Sequence, residues 1–120
     1  MSQVDPSNQE RARSLLEARE LRIYLRTVGD VVRLQILRQL AQSQEMSVTK
    51  LVKAVRVSQP LLSWHLGVLR RVGLVSVRKE GRLVWYSLDG QVLRSFRRRF
   101  DAWVRIPEDA DAVGEGEKHA

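Results

Sequence analysis

The sequence predicts a mainly α-helical domain with one small β-hairpin, its elements in the order α-α-α-α-β-β-α. Three observations carry this. Apolar side chains recur at three- and four-residue steps between residues 6 and 71, the spacing of one helix face. After Gly73 the period shortens, and LVSVRK (74–79) and LVWYSL (83–88) are rich in Val, Leu and aromatic residues, as strands are. A helical period resumes at Asp89-Gly90 and runs until Pro107 stops it.

The first helix is expected over 6–26, where Asp5-Pro6 fits an Asp N-cap with Pro at the first helical position; Ser7 to Glu10 offers a competing capping box. Leu15, Ala18, Leu21, Leu25 and Val28 form its stripe, widened by Leu16, Ile23 and Tyr24, while Arg11, Arg13, Arg19, Arg22 and Arg26 lie largely outside it. Gly29-Asp30 interrupts the pattern and supplies the next N-cap. The second helix, 30–43, is expected to bury Leu34, Leu37, Leu40 and Ala41, joined by Val31, Val32 and Ile36. Gln42 to Glu45 reads as a loop. Ser47 then caps a short third helix, 47–54, with Val48, Leu51, Val52 and Val55 inward.

Only Val55 to Val57 separate that helix from Ser58-Gln59-Pro60, a second start signal with Ser as N-cap and Pro in the first turn. This is helix-turn-helix spacing. In the fourth helix, 59–71, Leu62, Leu66 and Leu69 share one face; Gln59, Leu61, Ser63, Trp64, Arg70 and Arg71 occupy the other, and Gly73 ends it. The two strands meet at the turn Glu80-Gly81-Arg82, giving a hairpin with a basic tip. In the last helix Val92, Leu93, Phe96, Phe100 and Trp103 make one stripe, with Arg94, Arg97, Arg98, Arg99 and Arg105 mostly elsewhere.

At 120 residues the chain reads as one domain, 1–107, followed by the acidic, aromatic-free segment 108–120, which is expected to be disordered. Apolar runs reach only three or four residues, far below the roughly 20 that span a bilayer. The polar start MSQVDPSNQERAR has no secretory h-region, so a cytoplasmic location is expected. The absence of cysteine excludes disulfides, thiolate metal sites, Fe–S clusters and thiol nucleophiles.

Charge points to a polyanionic partner. The net charge is +7, but residues 1–107 hold 20 basic and 9 acidic side chains, a net of +11, against −4 in 108–120. Seventeen of the 21 cations are Arg, suited to forked contacts with phosphate or guanine.

Taken together, the element order is that of a winged helix-turn-helix. GDVVRLQIL (29–37), SQPLLSWHLGVLRRVGLV (58–75) and RKEGRLVWYSL (78–88) cover about half the chain, and in them it resembles the ArsR/SmtB-type bacterial transcriptional regulators. The resemblance implies a homodimer built on the first and last helices that binds an imperfect palindrome in an operator and releases it when an effector arrives. The apolar surface of these two helices, notably Leu15, Leu21, Leu25, Val92, Phe96, Phe100 and Trp103, agrees with such an interface.

A reading helix presents its N-terminal residues to base edges, which singles out Gln59, Pro60, Ser63 and Trp64. Gln59 can pair bidentately with adenine; Ser58 caps the helix and can also reach phosphate. Trp64 departs from the Arg, Lys or other polar residue that members commonly carry here, and either packs on sugar or a thymine methyl or folds back on the helix pair. His65 reads as structural, with phosphate and metal roles as alternatives. Arg78, Lys79 and Arg82 would lie over the flanking backbone or minor groove, and Lys50 and Lys53 would anchor the supporting helix.

Metal-sensing members of the family use Cys, or Asp and His pairs on the last helix. Here those last-helix positions read Asp89, Gly90, Gln91 and Val92, so no metal and no cofactor is expected; with only His65 and His119 available, a metal site would have to be assembled across subunits or from His119 and tail carboxylates. There is no phosphate-binding glycine loop and no acid/base pair at a catalytic spacing, which argues against an enzyme. The expected function is a homodimeric repressor on double-stranded DNA, not associated with membrane and with an unidentified effector. A metal-responsive regulator with an unconventional site and a winged-helix protein adaptor are the alternatives.

Overall fold

The computed structural model describes residues 5–105. Within them the chain forms α1 (Pro6–Val28), α2 (Val31–Gln42), β1 (Met46–Ser47), α3 (Val48–Val55), α4 (Gln59–Arg71), β2 (Val75–Glu80), β3 (Leu83–Leu88) and α5 (Gly90–Val104). Every helix begins where a short polar side chain meets N–H groups that have no partner inside the helix. Asp5 accepts from Ser7 N, Asp30 from Arg33 N, Ser47 from Lys50 N, Ser58 from Leu61 N, and Asp89 from Gln91 N and Val92 N. Ser7 gives its hydroxyl to Asp5, so the first of the two competing caps is the one formed.

Helix α4 ends in a left-handed glycine. Gly73 has φ +80°, its N–H bonds to Arg70 O, and Leu74 N reaches back to Leu69 O (3.0 and 3.1 Å), the paired bonds of a Schellman motif. Leu74 is thereby turned into the core before β2 begins, one residue later than the sequence predicts.

The sheet is antiparallel in the order β1-β3-β2. The sequence reading missed β1. Two residues are too few to show a period, and their pairing partners, Tyr86 and Trp85, lie far along the chain. Gly81, at φ +60°, makes the tight turn of the hairpin tip.

Ile36, Leu40, Leu51, Leu62, Leu66, Leu69 and Leu74 are fully buried and bring α2, α3, α4 and the start of the wing to one core. Each contributes roughly 1.5–3 kcal/mol by leaving water. Two predicted stripes need correction. In α2 the inward arc is Val32, Ile36, Leu37 and Leu40, whereas Val31 and Leu34 are 72% and 52% exposed and Ala41 is exposed too. Seven apolar residues spread around more than half of a helix cannot all face one core. In α1 Leu21 is buried, but Leu15, Leu16, Ile23 and Leu25 are exposed.

Helix α1 lies against α5. Tyr24 stacks on Phe96 at 5.3 Å, Phe96 on Phe100 at 6.3 Å, Glu20 pairs with Arg99, and Trp103 Nε1 donates to Ser14 O. Arg105, in the left-handed region, ends α5; the predicted stop at Pro107 and the acidic segment 108–120 lie outside the described residues. No helix among the described residues is long and apolar enough to cross a membrane.

Candidate nucleic-acid interface

The turn between α3 and α4 is closed by Arg56, whose φ of +62° ends α3 and whose N–H bonds to Val52 O. Val57 packs on the core and Ser58 starts α4, which fixes the angle between the two helices. One side of α4 then faces inward through Leu62, His65, Leu66 and Leu69. Ser58, Gln59, Pro60, Leu61, Ser63 and Trp64 are all exposed at its N-terminal half, where the macrodipole favours a phosphate. Ser58 Oγ accepts from Leu61 N, so its capping role is formed.

Trp64 combines features of both sequence readings. It is 56% exposed, yet its ring meets the edge of His65 (centroids 5.0 Å apart) and lies 5.9 Å from Arg33 Cζ. His65 is 5% exposed and its Nδ1 is 3.0 Å from Arg33 Nη1 and 3.7 Å from Asp30 Oδ2. Its place is structural. Arg33 also gives Nε to Thr27 O and Nη2 to Arg26 O, at 2.6 and 3.3 Å, closing the end of α1. The Asp30 carboxyl is held below its ordinary range, first by the Arg33 N–H and then by the Arg33 charge.

On the wing, Lys79 and Arg82 are exposed at the tip and make no ion pair among the described residues. Lys50 and Lys53 are likewise exposed on α3. Arg78 differs: it is engaged by Glu45 and Glu80, which push its pKa above the ordinary value and draw Glu45 below its own.

For the remaining sequence candidates, Leu15, Leu25 and Trp103 are exposed at 54%, 42% and 38%, Val92 and Phe100 are half-buried, and Leu21 and Phe96 are buried within the chain between α1 and α5. Asp89 Oδ1 accepts from two backbone N–H groups, and no three His, Asp or Glu side chains gather among the described residues.

With this geometry, residues 30–77 match the family described as "Bacterial regulatory protein, arsR family". The Transcriptional repressor SmtB homolog of Synechocystis is 36% identical over 89 residues, covering 73% of this chain and 67% of that one. The Transcriptional activator HlyU of Vibrio cholerae is 40% identical over 73 residues, covering 61% and 67%. The chain belongs to the ArsR family. Its fold agrees: the reduced HlyU structure from Vibrio cholerae superposes with a TM-score of 0.59 at 37% identity over 74% of this chain and 90% of that one. The ArsR-like regulator from Rhodococcus sp. RHA1 gives 0.63 at 27% identity over 85% and 92%. ArsR-family relatives are DNA-binding regulators of transcription, and this chain carries their winged helix-turn-helix.

The matched stretch begins at Asp30, the cap of α2, and ends before the wing tip. The structural roles of two side chains within it escaped the sequence reading. Arg33 occupies the inward register of α2, three, four and seven residues before Ile36, Leu37 and Leu40, and a cation in a core stripe was the available signal. Glu45 sat in what read as a polar loop and carried no signal at all.

Proposed function

We propose that this chain is a cytoplasmic homodimeric repressor that binds a palindromic operator, with α4 in the major groove and the hairpin wing over the flanking backbone. The observation that carries the reading is the outward display of Gln59, Pro60, Ser63 and Trp64 at the start of α4 together with the uncommitted cations Lys79 and Arg82 at the wing tip. The first group suits base edges and the second suits phosphate. Lys50 and Lys53 extend the basic surface along α3.

Dimerisation is supported by the apolar side chains that α1 and α5 leave in water, Leu15, Leu25 and Trp103 above all, with Val92 and Phe100 beside them. Leu21 and Phe96 support this surface from below by joining the two helices. A twofold pair would carry two α4 helices about one DNA turn apart, roughly 34–36 Å, and read two half-sites.

The test is a selection from genomic fragments with purified protein at about 0.15 M salt. An enriched palindrome with half-sites about one helical turn apart is the expected result. Binding without enrichment, lost on a modest rise in salt, would overturn the reading.

A further inference from the structure

Arg78 lies on β2 beside the wing tip, but its guanidinium is already occupied. Nε and Nη2 donate to the two carboxylate oxygens of Glu45 at 3.0 and 2.9 Å, and Nη1 donates to Glu80 at 2.5 Å. Its Cζ lies 5.9 Å from the Trp85 ring centroid. Trp85 is on the central strand, paired with Arg78 on one side and Ser47 on the other. The Arg78 side chain therefore crosses β3 over the indole and closes on the residue that leads into β1.

This connection adds a polar tie between the outer half of the wing and the segment leading into α3, beyond the shared core at the wing's base. β1 ties to the hairpin through only two residue pairs, Met46 with Tyr86 and Ser47 with Trp85. Ser47 is also the N-cap of α3, so the Glu45 fork links the wing to the first helix of the helix-turn-helix pair. A forked Arg–carboxylate bond is directional, so it holds an angle as well as a distance. The two carboxylates already balance the Arg78 charge within the chain. Lys79 alternates to the opposite strand face and is free of these partners, as is Arg82 beyond Gly81.

We propose that Arg78 and Glu45 form a strut that sets the wing against α3 and α4, making Arg78 a positioning residue for Lys79 and Arg82 and not itself a phosphate ligand. The inference rests on the reading of the wing as a DNA-contacting element.

The experiment compares wild type with Glu45→Gln, Arg78→Gln, the double variant, Lys79→Gln and Arg82→Gln. Affinity for a mixed-sequence duplex of about 30 base pairs, three helical turns, is followed across a salt series, and hydrogen exchange is followed in the free protein. Glu45→Gln and Arg78→Gln should each weaken binding about two- to fivefold, the double variant no further, with the salt slope unchanged in all three. Lys79→Gln and Arg82→Gln should each lower the slope by about one. Amides at the hairpin tip should exchange faster in Glu45→Gln. The strut is overturned if Glu45→Gln tightens binding while Arg78→Gln lowers the slope by about one, because Arg78 would then be a phosphate ligand for which Glu45 competes. Wild-type slopes in both Lys79→Gln and Arg82→Gln would remove the wing from the DNA reading. Hydrogen exchange then judges the strut alone, and unchanged exchange in Glu45→Gln would overturn it.

Discussion

His65, on the buried side of α4, accepts a hydrogen bond at Nδ1 from Arg33 Nη1 across 3.0 Å. Guanidinium has no acceptor, so Nδ1 is the unprotonated nitrogen and the ring proton sits on Nε2. The other two arms of Arg33 close the carbonyls of Arg26 and Thr27. One side chain thus joins the last turn of α1, the first turn of α2 and the middle of α4, coupling the helix that carries exposed apolar surface to the helix that exposes Gln59, Ser63 and Trp64.

Removing that side chain leaves a buried imidazole and two helix-end carbonyls without their donor. Arg33→Ala is expected to lower the unfolding free energy by about 2–3 kcal/mol in urea titration. Arg33→Lys, which keeps the charge but cannot form the three-armed contact, should recover less than half of the loss. A full rescue by Lys would show that charge alone matters at this junction.

Two left-handed positions should respond with opposite signs. Gly73 has φ +80° and room for a methyl group, its nearest neighbour being Val92 Cγ2 at 3.9 Å, so Gly73→Ala isolates backbone strain. It should cost about 1–2 kcal/mol. Arg56 adopts φ +62° with a side chain, and Arg56→Gly should gain roughly 0.5–1 kcal/mol after the entropy of glycine is subtracted. Thermal melts of both variants, read at the same pH, check the pair of signs.

Gln59 is exposed in the first turn of α4, so its truncation should leave the melting temperature unchanged. On the selected operator, Gln59→Ala should lose about 1–3 kcal/mol of discrimination at one base position while its affinity for mixed-sequence DNA stays near wild type. Equal losses on both DNAs would mean that Gln59 contacts the backbone and reads no base.

Asp30 and Glu45 both have carboxyl groups held below their ordinary values, Asp30 first by the Arg33 N–H and Glu45 first by the Arg78 guanidinium. A lowered folded-state pKa gives stability that is present above the unfolded-state value and is lost as pH falls through the folded one. The melting temperature should therefore drop on acidification below the ordinary carboxylate values of 3.8 and 4.5. Glu45→Gln should flatten part of that fall, and a profile identical to wild type would count against the Arg78 bond in solution.

Much of the local structure was legible because its causes are local. Asp5, Asp30, Ser47, Ser58 and Asp89 were each readable as caps, since a cap satisfies N–H groups only two or three residues away. Leu62, Leu66 and Leu69 marked the inner face of α4, and the exposure of Gln59, Ser63 and Trp64 opposite them followed. Where apolar residues spread over more than half of a helix circumference, as Leu15, Leu16, Leu21, Ile23 and Leu25 do on α1, periodicity could not say which would be buried.

The sequence by itself determined where helices start and stop, where the period turns from helix to strand, and that a polar N-terminal turn opens the second helix of a helix-turn-helix. These are short-range effects of capping, backbone dihedrals and side-chain spacing. Only the tertiary structure decided that Arg33 meets His65 and that Arg78 closes on Glu45, partners separated by 32 and 33 positions. Such bonds depend on how packed helices and a two-residue strand orient distant side chains, and no local periodicity encodes that.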